Sequence, residues 1–337
     1  MGVLRPKLER VGMQLVEDEA RNVLGYWPGT GEGIKAEPIL LCAHVDTVLP
    51  TIGMEPVVRD GSVWSDGSSV LGADDKAAVA AIIEAAEAIA DSGVSHPPVE
   101  VLLTIGEDIG HIGSRAFDVS RVKSTLAYVP DSGGPVGQII LASPWAQGLK
   151  VTFHGRAAHA GIDPESGRSA LSMVARAIDS LLWGRLDEES TSNVGTVSGG
   201  EAANIVAPCA EMVFQVRSLD EDKHNRYIGN VLEACERAAA DLDGHVEHEV
   251  LGKTRGFRFA ENDRIVERAK SAICSAGLQS ICTVSCGGSD ANEFNAKGMA
   301  TLVLSVGYKD IHSNKESMPI DELNNLAQVC FELMLGK

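Results

Sequence analysis

Apolar positions along the chain fall into two kinds of run. Residues 38–49, PILLCAHVDTVL, and 99–105, VEVLLTI, are continuous apolar stretches bounded by proline or polar residues, and they read as buried strands. TLAYV at 125–129 and TLVLSV at 301–306 read the same way. Between the first two lies DDKAAVAAIIEAAEAIAD, residues 74–91, an Ala-rich helix with Asp74 and Asp75 at its N-terminus, where negative charge is favoured. Pro97 and Pro98 break the chain after it, and further helices are expected near 261–276 and 320–335. Strands alternating with helices predict an α/β domain, a mostly parallel mixed sheet flanked by helices.

The pattern changes near residue 146. GLKVTFHG reads as a strand, 166–183 as a helix, TVSGGEAANIVAP and AEMVFQVRSL as strands, 220–240 as a helix and 245–252 as a strand. This β-α-β-β-α-β order predicts a ferredoxin-like α+β domain inserted into the first. The expected division is 1–145 with 254–337 for one domain and 146–253 for the insert. A length of 337 residues agrees with two cores, since single cores stop growing near about 250–300 residues.

Charge then narrows the partners. Lys plus Arg number 29 and Asp plus Glu 47, a net charge of −18, which argues against nucleic acid and against anionic membranes. No apolar run is long enough to span a bilayer, and the first residues lack the apolar core of a signal peptide, so a cytoplasmic protein is expected. The seven cysteines, Cys42, Cys209, Cys235, Cys274, Cys282, Cys286 and Cys330, are scattered without a CxxC pair and read as buried free thiols. No glycine-rich phosphate loop follows a strand, which disfavours a nucleotide-binding protein.

The candidate chemistry lies at strand exits, where ligands bind in parallel sheets. His44 and Asp46 close the first strand, and alternation points them the same way. A carboxylate beside an imidazole is the usual arrangement that orients a metal-binding ring. Asp74 and Asp75 open a helix, Glu107 and Asp108 follow the second strand, Asp131 follows the third, and His312 lies in a loop after the fourth. Each by itself reads as a helix cap, a polar strand end or a solvated loop. Adjacent acids at a buried strand end, however, repel unless a cation or proton relieves them. As a set, mixed imidazole and carboxylate donors suit zinc, cobalt or manganese rather than calcium. The number of groups fits two metals sharing one bridging carboxylate, with a further carboxylate left over as a base.

The segments LLCAHVDTV, GADDKAA, TIGEDIGHIGS, VPDSGG, GRAAHAG, GGEAANIV and GGSDANEFNAKG, in this order, resemble the co-catalytic zinc exopeptidase and deacylase superfamily. Its members include peptidase T, carboxypeptidase G, aminoacylase and succinyl-diaminopimelate desuccinylase. SDGSSVLGADDKAAVAA most resembles the peptidase T-like branch of tripeptide aminopeptidases. The resemblance implies two divalent metal ions, zinc first, with manganese or cobalt as alternatives. It implies that His44 and Asp131 bind one metal, Asp108 and His312 the other, and that Asp74 bridges them across a cis Asp74–Asp75 bond. Asp46 would orient His44, and Glu107 would be the general base acting on metal-activated water. In the insert, His159, Asn204 and Arg217 resemble lid residues that reach toward substrate, and in related dimers the lid histidine serves the partner's site. A homodimer through the insert, acting as a lid and dimerisation domain, is therefore expected. Asn204 and Arg217 are expected to flank one turn between two strands, and an arginine fork suits a substrate carboxylate. Gly287, Gly288, Ser289 and Asp290 resemble a substrate-side loop, and Asp290 reads equally as a helix N-cap.

The chain departs from the family pattern in three places. Only 43 residues precede His44, Gly106 stands where an acid commonly precedes the base, and Asp108 replaces a commoner Glu. The expected activity is metal-dependent hydrolysis of an amide bond in short peptides, as a tripeptidase-like aminopeptidase. The alternative is an N-acyl-amino-acid deacylase on the same di-metal site. A binding protein on this scaffold would have lost a ligand or the base, and none is lost.

Overall fold

In the computed structural model, which describes residues 2–51, 53–285 and 287–337, the chain divides into two units. Residues up to Ser143 together with Arg258–Lys337 form one, and Pro144–Phe257 the other. No helix among the described residues is long and apolar enough to cross a membrane.

The large sheet of the first unit runs in the order Gln14–Glu17, Val23–Trp27, Val99–Thr104, Ile39–His44, Leu126–Ser132, Ala300–Ser305, Gln138–Ser143. Its centre is parallel. Every position of Ile39–His44 and Val99–Thr104 is buried, because helices cover both faces. Ile39, Leu41, Ala43, Val101 and Leu103 share a core with helices Ala73–Ser92, Arg264–Ser275 and Ile320–Met334. Leu40, Cys42 and Leu102 are equally buried outside that core, as alternation requires of the opposite face. There Phe117 and Phe294 meet edge-on with ring centroids 6.2 Å apart.

The edges are antiparallel, which makes the sheet mixed. Gln14–Glu17 pairs with Val23–Trp27, and Gln138–Ser143 runs antiparallel to Ala300–Ser305 but parallel to Ile281–Val284. The edge strand Gln14–Glu17 gives no apolar signal in sequence, since it is largely exposed. The first central strand ends at His44 rather than running to residue 49.

In the second unit five antiparallel strands lie in the order Gly184–Arg185, Ser190–Gly199, Cys209–Ser218, Trp145–His154, His245–Thr254. The last four have the ferredoxin-like order, with one extra two-residue strand at the edge. Helices Ala170–Asp179 and Glu221–Ala240 lay Met173, Val174, Val231 and Cys235 on Leu149, Phe153, Met212 and Phe214. Both helices start at side-chain caps, Ser169 accepting from Ser172 N–H and Asp220 from Lys223 N–H, so the first begins later than residue 166. Residues 200–208, expected as part of a strand, form a loop instead.

Of the cysteines, Cys42, Cys235 and Cys330 are buried free thiols, Cys282 is half-buried, and Cys209 and Cys274 are exposed rather than buried. Cys286 lies outside the described residues.

Candidate metal centre

The first unit gathers its acids and imidazoles at the carboxyl ends of the parallel strands. His44, the last residue of its strand, is 2 % exposed. Its Nε2 stands 3.3 Å from Asp74 Oδ1 and 3.8 Å from Asp131 Oδ1. His312 Nε2 stands 3.1 Å from Asp74 Oδ2 and 3.1 Å from Asp108 Oδ1. The two oxygens of Asp74 thus face two different imidazoles. His44, Asp74 and Asp131 make one group of converging donors, Asp74, Asp108 and His312 a second, and His44, Asp46 and Asp108 a third, each with its ligand atoms within 4.8 Å of one another.

Asp74 is held there by its backbone. Gly72 turns the chain at φ 73°, a left-handed conformation that glycine adopts without a side-chain clash. The Asp74–Asp75 peptide is cis. Glu316, 1 % exposed, accepts hydrogen bonds from Gly72 N–H at 2.7 Å and Asp74 N–H at 3.0 Å.

Asp46 lies beyond the strand end, so alternation does not fix its direction; hydrogen bonds do. Its Oδ1 is 3.4 Å from His44 Nδ1 and accepts from Glu107 N–H at 3.2 Å, and its Oδ2 accepts from Asp108 N–H at 3.3 Å. One carboxylate therefore ties the His44 ring to the Glu107–Asp108 turn. Gly106, just before that turn, has φ 66°, and a Cβ there would stand 3.1 Å from Ile112 Cβ. An acid at position 106 would be strained, which gives that departure from the family pattern a physical reason.

The electrostatics are those of a crowded anionic pocket. Burial, reinforced by neighbouring carboxylates, pushes Asp131, Asp75 and Asp108 above the usual carboxylate range. For His44, burial would favour the neutral ring, but Asp46 and Asp74 outweigh it and raise its pKa. Asp108 Oδ2 is buried without a hydrogen-bond partner. Carboxylates brought this close want a cation. The donor set fits two divalent ions of the zinc, cobalt or manganese kind, with Asp74 shared between them.

Sequence reasoning passed over Glu316, His111 and Glu293. His111 lies inside the segment GEDIGHIGS, four residues after Glu107, and its Nε2 is 3.2 Å from Glu107 Oε1. Glu316 sits in a loop four residues after His312, with no periodicity to single it out. Ser289, not Asp290, caps helix Asp290–Ala296, through a capping box with Asn292. Asp290 is 1 % exposed and accepts from Thr104 Oγ1 at 2.5 Å beneath the site.

In the second unit the segments carrying His159 and Asn204 lie side by side: Ala160 N–H donates to Asn204 O at 3.0 Å, and both residues are exposed. Arg217 does not flank the same turn. Asn204 precedes strand Cys209–Ser218, whereas Arg217 lies near its far end, opposite Thr191. A fourth donor group, His154, His245 and Glu247, lies on the sheet of this unit. Its imidazoles stack at 4.7 Å and 15°, so their in-plane lone pairs do not converge on one point.

Residues 145–243 match the model of the M20 peptidase dimerisation domain, and residues 22–140 that of peptidase family M28. The chain is 38% identical over 332 residues to uncharacterized protein YqjE of Bacillus subtilis, covering 97% of this chain and 90% of the relative. It is 26% identical to peptidase T of Lysinibacillus sphaericus over 81% of this chain and 67% of that one. Among solved structures it is similar to aminopeptidase PepT from Bacillus cereus, with TM-score 0.95 and 35% identity over 99% of this chain and 91% of the other. A tripeptidase from Staphylococcus aureus gives TM-score 0.92 and 32% identity, again over 99% and 91%.

Proposed function

Since the chain belongs to the peptidase T-like branch of the M20 metallopeptidases, we propose that it is an aminopeptidase that cuts the first residue from short peptides, tripeptides above all, using two divalent metal ions. Peptide hydrolysis follows from the family; the metal-bridged site and the roles below are the proposal. The observation that carries it is the division of Asp74 between His44 on one oxygen and His312 on the other.

In this reading His44, Asp131 and Asp74 would hold one ion and Asp108, His312 and Asp74 the second, with zinc first and manganese or cobalt as alternatives. When bound, such ions lower the pKa of water toward neutrality and polarise the substrate carbonyl. Asp46 fixes the orientation of His44 by standing against Nδ1, and so leaves Nε2 for the ion. Glu107 accepts the proton from the attacking water and hands it to the departing amine. In the second unit, His159, Asn204 and Arg217 would contact substrate, and two copies of the chain would associate through this unit. The separation of Asn204, in the loop before strand Cys209–Ser218, from Arg217, near the far end of that strand, suits contacts to two different parts of a substrate, or to two sites of a dimer.

The test is hydrolysis by chelator-stripped protein with zinc, manganese or cobalt restored, on trialanine, N-acetyl-trialanine and N-acetylalanine. Cleavage of the free tripeptide alone, dependent on metal, is the expected result. Cleavage of the acetylated compounds would replace the aminopeptidase reading with the deacylase one.

A further inference from the structure

Glu107 is not alone. Its backbone carbonyl accepts from Gly110 N–H at 3.0 Å and His111 N–H at 2.9 Å, closing a tight turn. His111 ends that turn at φ 59°, a left-handed conformation uncommon outside glycine. This geometry folds the imidazole back over Glu107, with Nε2 3.2 Å from Glu107 Oε1. The opposite ring nitrogen, Nδ1, is buried without a hydrogen-bond partner and makes an ion-pair contact at 3.5 Å with Glu293 Oε1, which in turn accepts from Arg115 Nε at 2.9 Å. The ring is largely buried, and the loop at Gly288 closes over it: a Cβ there would stand 3.5 Å from His111 Cε1. Among the described residues, His111 is the one side chain paired with the Glu107 carboxylate, and it belongs to none of the groups of converging donors in this unit.

We propose that His111 is a positioning residue for the general base: its imidazole fixes Glu107 Oε1 and leaves Oε2 free for water and substrate, while Glu293 and Arg115 fix the ring. The inference rests on the reading of Glu107 as the base. A base on a flexible glutamate stem works only while its reactive oxygen is held in place, and small misplacements cost large factors in rate. Charge agrees with the geometry. Burial alone would lower the His111 pKa, but Glu107 and Glu293 outweigh it and raise it to about 9. At neutral pH both ring nitrogens then carry a proton, one facing each carboxylate.

The experiment uses the metal-loaded enzyme with trialanine as substrate. It compares Glu107→Gln, His111→Leu, His111→Gln, Glu293→Gln and the double variant His111→Leu/Glu293→Gln. For each, kcat, KM, metal content by elemental mass spectrometry and melting temperature are measured. His111→Leu should lower kcat by roughly 10- to 100-fold, with KM within about twofold and both metals retained. His111→Gln, which keeps an N–H donor, should recover most of that loss. Glu293→Gln should lower kcat by a smaller factor and add nothing once His111 is leucine, because the two act in one chain. If Glu107→Gln is inactive while His111→Leu keeps full kcat, the positioning role is wrong and the base survives. If Glu107→Gln turns over normally, the base reading itself is wrong. A loss in His111→Leu that glutamine does not restore and that comes with a lower melting temperature would make His111 merely structural, and would also overturn the proposal.

Discussion

Glu316 holds the backbone N–H of Asp74 from 242 residues further along the chain, accepting it at 3.0 Å on Oε1 while Oε2 takes Gly72 N–H at 2.7 Å. Each oxygen of the buried carboxylate accepts one of these two N–H groups. An amide in its place has one acceptor and turns an NH2 group toward the other N–H. Glu316→Gln should therefore destabilise the protein by about 2 kcal/mol, the cost of losing a buried charge-assisted hydrogen bond. It should also weaken metal binding, because Asp74 is the carboxylate that faces both His44 and His312. Urea unfolding and a metal titration read the two effects; an unchanged midpoint and affinity would remove Glu316 from this role.

Glu107 stands outside every group of converging donors among the described residues, so its removal should separate binding from chemistry. Glu107→Gln is expected to keep two metals and a normal melting temperature while kcat falls by roughly 100- to 10,000-fold, the usual contribution of a general base. Loss of metal in this variant, measured by elemental mass spectrometry, would instead place Glu107 among the ligands.

Removing the metals should cost stability as well as activity. Without a metal ion, Asp74, Asp108 and Asp131 crowd together against the imidazoles of His44 and His312, with the Lys76 ammonium nearby. An ion bound only by the native state stabilises it by about 2.7 kcal/mol at 100 times its dissociation constant. The melting temperature of the protein should fall on chelation and climb with added zinc as the logarithm of its concentration. A melting curve insensitive to both would contradict the two-ion reading.

The reach of the sequence is uneven for physical reasons. The central strands were legible because both faces are buried, which writes an unbroken apolar run such as ILLCAH. The candidate metal-binding residues were legible because parallel strands deliver their carboxyl ends to one edge of the sheet. The strand Gln14–Glu17 was not, because three of its four residues are exposed. Residues 200–208 resemble a strand in their apolar content, yet leave the ladder after Gly199, and that loop set the expected turn for Asn204 and Arg217 in the wrong place. Glu316 and His111 act through contacts made by loops and a left-handed turn, and neither has a period that sequence inspection can detect.

His224 gives the second unit a pH dependence of its own. It lies on helix Glu221–Ala240, 1 % exposed, with Nδ1 3.2 Å from Asn225 Oδ1 and Nε2 buried without a partner. Burial lowers its pKa, aided by Lys253, while Asn225 and Glu221 oppose the shift more weakly. A histidine whose folded pKa is depressed binds fewer protons folded than unfolded. Its contribution to stability is therefore intact above the unfolded value of about 6.5 and is lost as pH falls from there through the folded value. In His224→Leu the titrating group is gone and the helix packing is kept. On acidification from about pH 7.5 to about pH 5.5, the wild type should lose more stability than the variant, so the difference in melting temperature should shift in the variant's favour. Metal loss at low pH affects both proteins alike and cancels in that difference. Parallel melting curves across this range would show that His224 takes up its proton in the folded state as readily as in the unfolded one.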